Sequence, residues 1–352
     1  MYCPRLDHFV RLNYTGKIGK CGHMTGAPEF DNLKDMQDSI WLKEIKKQME
    51  NNIWPKECIR CQMTEETSNT SIRLDMIERD RILNSIQKDY LIVGGVLDNI
   101  CNSACQSCNA ELSTKIGSLA SKDYKKINNY NNFFKLPQDR IVEVDVNGGE
   151  PTASPNYKQL LKNLPTSTKI IRINTNGSRV IPEIEKLLQK GIRVIVTLSF
   201  DGTEYVHDYA RWPILWNDYK KSVQKYVELR TRYKILRLNF WTTVSCLNVG
   251  DLKNIIEYAK EVNIDHSYGF CIRPEVLDIR YVNNLTIAAK ENLLVAGNTL
   301  LSSIAKNCGS FNKDNSTELK NFINAQDTLR KINFKDYLNF DLNLFRNDLA
   351  NT

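Results

Sequence analysis

An α/β fold made of parallel strand–helix units is what this sequence predicts, on three observations. Short β-rich runs alternate with amphipathic helical stretches about six times between residues 90 and 275. A cysteine-rich stretch precedes that rhythm and a helix-only stretch comes after it. With 352 residues the chain has room for one large domain with appendages.

Taken in order, residues 1–83 read as a small, loop-rich module. Its one strong helix is Ser39–Asn52, where Ile40, Trp41, Leu42, Ile45 and Met49 form an apolar stripe among lysines. Trp54-Pro55 closes that helix, because proline disfavours the helical conformation of the residue before it. The polar run Thr64–Ser71 then leads into a helical or extended connector through Leu83. In residues 84–284, strands are expected at Tyr90–Leu97, Ile141–Val146, Lys169–Asn174, Arg193–Ser199, Leu236–Val244 and His266–Ile272. Helices are expected at Tyr157–Leu164, Ile181–Lys190, Asp218–Tyr233 and Asp251–Val262. Such alternation builds a parallel sheet, open or barrel-like, and gathers ligand groups at the C-terminal ends of the strands. Residues 285–352 read as a helical extension with helices at Ile287–Ala305 and Ser316–Lys331, and the end from Phe334 has no clear pattern.

Composition narrows the function classes. Hydrophobic residues at 41% and charged residues at 25% exclude wholesale disorder. No uncharged apolar run approaches the ~20 residues of a membrane span, and Met1–Val10 has no signal-peptide pattern, so a cytoplasmic location is expected. The charge of +7 is spread along the chain, which gives no reason to expect nucleic acid as a partner.

Cysteine placement says more. Of ten cysteines, Cys3, Cys21, Cys58 and Cys61 form one group and Cys101, Cys105 and Cys108 another, while Cys246, Cys271 and Cys308 are isolated. Clustered thiols without a secretory signal read as metal or cluster ligands. The second group has the spacing C-x3-C-x2-C directly after the first strand. Three thiolates do not complete a four-cysteine zinc site, but they hold three irons of a [4Fe–4S] cube and leave the fourth open to a chelating ligand. The bland alternative is a helix burying cysteines at i, i+4 and i+7. Loop formers Asn99, Asn102, Ser103, Gln106 and Ser107 speak against it. The first group reads C-x12-G-x4-C, through Gly16, and then Cys58-x2-Cys61. Four thiolates fill either a structural zinc site, with His23 to spare, or all four corners of a cube.

The triplet and the strand ends after it resemble the radical S-adenosylmethionine (SAM) superfamily. Asn147-Gly148-Gly149-Glu150-Pro151 is similar to that family's GGE motif, Asn174-Thr175-Asn176-Gly177 to its TNG turn, and Ser199-Phe200-Asp201-Gly202 to its S-x-D-G. Ser107 stands where the family usually has an aromatic residue. The resemblance covers residues 90 to about 275 and implies a partial (β/α)6 TIM-like barrel. It implies Cys101, Cys105 and Cys108 as ligands of the SAM-binding cluster. By the same resemblance Gly148, Gly149 and Glu150 receive the methionyl ammonium, Ser199 the ribose and Arg211 the carboxylate of SAM, with Thr175 and Asp201 in lesser roles. The first cysteine group resembles the twitch domain, a shortened SPASM domain, here ahead of the barrel instead of behind it, and so implies an auxiliary [4Fe–4S] cluster on Cys3, Cys21, Cys58 and Cys61.

The resemblance further implies reductive cleavage of SAM to a 5′-deoxyadenosyl radical that abstracts hydrogen from a substrate, with electrons from an external donor such as flavodoxin or ferredoxin. A peptide or protein is the first substrate expectation, and a sugar or aminocyclitol alcohol the second. A barrel enzyme with structural zincs and a non-catalytic cluster-binding protein are the rivals. Arg273, Glu275 and Cys271 fall where a barrel would face its substrate, although a surface pair and a buried thiol explain them as well. Asp327 and Arg330 lie on a tail helix that either closes the barrel's side or presents a solvated face.

Overall fold

The computed structural model describes residues 1–121, 124–295 and 299–338. Its strands are β1 Phe9–Leu12, β2 Ile18–Gly19, β3 Leu91–Val96, β4 Ile141–Asn147, β5 Ile170–Thr175, β6 Arg193–Ser199, β7 Leu236–Val244 and β8 Asp265–Phe270. All six expected strands are present, as β3 to β8, and they stand in the sheet in chain order: β2-β1-β3-β4-β5-β6-β7-β8. The pairs β1/β3, β3/β4, β4/β5 and β7/β8 are parallel. Sequential parallel strands joined by helices are the α/β arrangement the alternation predicts.

The addition is at the β3 edge. β1 pairs in parallel with β3, Phe9 opposite Ile92, and β2 returns antiparallel to it. Four-residue and two-residue strands are too short to leave a period in the sequence, so the N-terminal segment reads as loop. One helix there escapes the sequence pattern for a related reason: Ile59–Ser68 contains most of the polar run Thr64–Ser71. The connector after it, helical or extended by sequence, is the helix Ile72–Ile86. Neither shows the strong apolar stripe of Ile40–Glu50, the expected helix, which starts where Ser39 accepts a hydrogen bond from the Leu42 N–H at 3.2 Å. Within the tail, Asn284–Val295 and Thr299–Asn307 are helices where one is expected, and the residues between them lie outside the described ones. So does most of the unassigned end from Phe334, of which Phe334–Asp336 forms a single 3-10 turn.

The chain divides into two compact units that cut across the segment boundaries expected from sequence. The first comprises Met1–Asn99, Lys125–Ile173 and Glu183–Ile195. One core within it joins Phe9, Met76, Leu83, Tyr90, Ile92, Val142 and Ile170, and a second joins Leu6, Leu42, Ile45, Met49 and Cys58. The second unit comprises Ile100–Tyr124, Asn174–Pro182 and Val196–Thr352. Its core joins Tyr209, Cys246, Leu247, Cys271 and Leu277 to Leu319, Ile323, Phe334 and Leu338 of the tail. An aromatic stack of Phe200, Trp216, Tyr219, Phe240 and Tyr258 packs separately. No described helix is long and apolar enough to cross a membrane.

Candidate functional site

In the second unit, residues 101–113 form an irregular loop with turns but no helix, so the reading of the triplet as a buried helical stripe is excluded. The Ser103 hydroxyl lies 3.3 Å from Cys101 Sγ and 3.6 Å from Cys105 Sγ, so two of the thiols share one neighbour. Burial pushes the Cys108 thiol up to about 12, and the Cys105 and Cys101 thiols add to that push. The loop is tied down on several sides. The Ala104 N–H donates to the Trp212 carbonyl at 2.8 Å and the Gln106 N–H to the Ala210 carbonyl at 3.0 Å. Asn176 of the TNG turn donates to Asn102 Oδ1 at 2.8 Å, and Asn102 donates in turn to the Ser178 hydroxyl at 3.2 Å.

The other strand-end residues of this unit have definite jobs. Thr175 Oγ1 accepts the Gly177 N–H at 3.2 Å, a turn role. Gly177 has φ +70°, and a Cβ there would stand 2.5 Å from the Tyr219 ring, so the turn needs glycine twice over. Ser199 ends β6, half-buried. Asp201 is engaged within the protein: its carboxylate accepts Arg211 Nη1 at 2.7 Å and the Thr243 N–H at 2.8 Å. Burial works against the Arg211 charge, but Cys105 and Asp201 outweigh it and hold the guanidinium firmly protonated. Among the described residues, however, Arg211 Nε is buried without a hydrogen-bond partner, as is Gln106 Oε1. A charged donor atom kept dry and unpaired is costly, and an anionic ligand would relieve it.

The GGE segment belongs to the first unit. A Cβ on Gly148 would meet the Asp98 carbonyl at 2.4 Å, and the Gly149 N–H donates to that carbonyl at 3.0 Å. Here glycine is dictated by backbone against backbone. Glu150 is almost fully buried, and its Oε1 accepts both the N–H (3.1 Å) and the hydroxyl (2.9 Å) of Thr152. Asn147 Oδ1, at the end of β4, is buried with no partner.

Also in the first unit, Cys3, Cys21, Cys58 and Cys61 line one cavity with His23. Its walls include Met24, Met49 and Trp54. Cys58 immediately precedes the helix Ile59–Ser68 and Cys61 lies in its first turn, which is how the CxxC spacing aims both thiols one way. Burial pushes the Cys3 and Cys58 thiols up to about 12, and Cys61 upward as well. Backbone N–H groups of Arg5 and Arg73 hydrogen-bond the Cys3 and Cys61 sulfurs and oppose that rise. Four thiols around one cavity suit either a four-cysteine zinc site or a four-cysteine [4Fe–4S] cluster.

No protein-family model matches the chain. Over 113 residues it is 30% identical to the mycofactocin maturase MftC of Mycobacterium tuberculosis, covering 32% of this chain and 28% of that protein. The MftC of Mycobacterium ulcerans is 29% identical over the same length, covering 32% and 29%. The chain thus spans less than a third of the length of these curated relatives. Solved structures with a distant likeness to this chain include anSMEcpe with bound AdoMet (TM-score 0.39, 18% identity, 58% of this chain and 59% of that one). Streptococcus suis SuiB bound to S-adenosylmethionine is another (TM-score 0.42, 12% identity, 83% and 70%).

Several residues of the site and its surroundings carry no signal in the sequence. Asn102, Asn176 and Ser178 look like ordinary turn formers there, and only the fold brings their side chains to the cysteine loop. Glu143, fully buried on β4, pairs with Arg79 and with Arg172 Nε at 2.6 Å, a charge cluster that alternation on a strand hides among valines. Arg330 and Asp327, for which a solvated face is an open reading of the sequence, are both buried. By contrast, Arg273 and Glu275 are exposed, and Glu275 accepts the Tyr281 hydroxyl.

Proposed function

We propose that this chain is a radical SAM enzyme that cleaves SAM reductively and uses the resulting radical to modify a peptide oxidatively, in the cytoplasm and with electrons from a flavodoxin- or ferredoxin-type donor. The observation that carries this reading is the cysteine loop. Cys101 and Cys105 share the Ser103 hydroxyl, Cys108 is electrostatically coupled to both, and the thiol set has no fourth member in the loop. A [4Fe–4S] cluster held there would supply the electron that splits SAM into methionine and a 5′-deoxyadenosyl radical.

The protein's part is positioning. Arg211, oriented by Asp201, offers its unpaired Nε to the carboxylate of SAM. Gly148, Gly149 and Glu150 serve the methionyl ammonium, and Ser199 serves the ribose. Thr175 shapes the TNG turn and takes a lesser part in holding SAM, as does Asp201. Cys3, Cys21, Cys58 and Cys61, which line one cavity, hold an auxiliary [4Fe–4S] cluster at all four of its corners. On this reading residues 1–83 are the auxiliary module, 84–284 the barrel and 285–352 its helical extension. The peptide substrate rests on the likeness to a maturase.

Anaerobic reconstitution with iron, sulfide, dithionite and SAM tests the proposal. About eight irons per chain are expected for two cubes, together with 5′-deoxyadenosine and methionine in equal amounts. Deoxyadenosine formation that persists in Cys101→Ala would overturn it.

A further inference from the structure

The tail helix Ser316–Arg330 sends a buried arginine to the backbone of the cysteine loop. Arg330 Nε donates to the Ala104 carbonyl at 2.7 Å and Nη2 to the Cys105 carbonyl at 3.2 Å, more than 220 residues away in sequence. Only 3% of Arg330 is exposed, so these bonds are made out of water. The N–H groups of Ala104 and Gln106 are held by the Trp212 and Ala210 carbonyls, just after and at the end of the helix Glu204–Ala210. The same helix carries Tyr209, whose hydroxyl donates to Asp327 at 2.9 Å. Asp327 also accepts the Phe334 N–H at 2.7 Å. Loop, inner helix and tail helix therefore close a ring of bonds around Ala104–Gln106, in which the inner helix takes N–H groups and the guanidinium takes carbonyls.

We infer that Arg330 is a positioning residue of the Cys101/Cys105/Cys108 site: it fixes the loop's carbonyls with a forked donor and keeps a permanent positive charge beside the cluster. The inference rests on the function proposed above. A fixed cation near a cluster favours its more negative, reduced form. Only arginine combines a planar fork with a charge that is never titrated away. Lysine keeps the charge and loses the fork, while glutamine loses the charge.

The experiment compares parent, Arg330→Lys, Arg330→Gln and the surface control Lys331→Gln as reconstituted full-length chains. Redox titration tracks the EPR signal that SAM perturbs, and a competing chelator measures iron loss. In Arg330→Gln, the ratio of reduced to oxidised cluster at fixed potential should fall about tenfold, equal to about 59 mV for one electron. Arg330→Lys should hold the parent's potential but lose iron several-fold faster, and Lys331→Gln should match the parent throughout. A parental potential in Arg330→Gln overturns the inference. If that variant does not fold, Arg330→Lys decides, and iron retention equal to the parent's overturns it. Absence of any SAM-perturbed signal in the parent would instead sink the underlying function.

Discussion

Four cysteines of the N-terminal segment lie on or next to secondary structure around one cavity, whereas the three of the strand-end loop lie on no regular element. The first group takes its geometry from local structure: a helix start for Cys58 and Cys61, a short strand before Cys21. The second is held by distant side chains and carbonyls, from Asn176, Ala210, Trp212 and Arg330. A saturated cluster needs only a rigid cage. An open one needs a loop whose backbone is fixed while its face stays accessible, and distant ties accomplish that.

The comparison can be broken most sharply at the loop. Replacing Cys101, Cys105 or Cys108 by alanine should lower deoxyadenosine formation by more than about a thousandfold, as expected when a group essential to the chemistry is removed, and leave about four irons bound. Next in size is the other group. Cys61→Ala should also leave about four irons, but SAM cleavage should persist, and the melting temperature should fall because the auxiliary cluster contributes folding free energy. Loss of both activities together would make the two groups interdependent. Asp201→Ala strands the buried Arg211 charge and should cost about 3–5 kcal/mol in denaturant unfolding, with the Michaelis constant for SAM rising as Arg211 loses its orientation. The smallest effect is expected at Asn176→Ala, where the bond to Asn102 is lost for about 1 kcal/mol. A neutral result there would mean that Arg330 and the carbonyls hold the loop unaided.

How far the sequence speaks depends on the range of the interactions. The strands β3 to β8 and their helices are announced by period, and most of their observed ends differ from the expected ones by a residue or two. The cysteine spacings and the strand-end motifs are local as well, and so are readable. What stays hidden depends on partners far apart in the chain. Arg330 on a helix of mixed polarity looks like any surface arginine until the fold places Ala104 and Cys105 against it. Asp201 sits in a motif that points to a ligand, but its carboxylate faces Arg211, ten positions on. Glycine at 148 suggests room for a small molecule, and the nearer cause is the Asp98 carbonyl.

The pairing of Phe9–Leu12 with β3 has a practical outcome for anyone trimming this protein. Those four residues satisfy one side of Leu91–Val96, a run that is apolar apart from its two glycines. Cutting the chain after residue 83, to isolate the barrel from its cysteine-rich forerunner, would uncover a raw ribbon of peptide groups, ready to recruit strands from other molecules. Such a truncation is expected to precipitate, so the accessory segment is best disabled by point substitution with its backbone left in place.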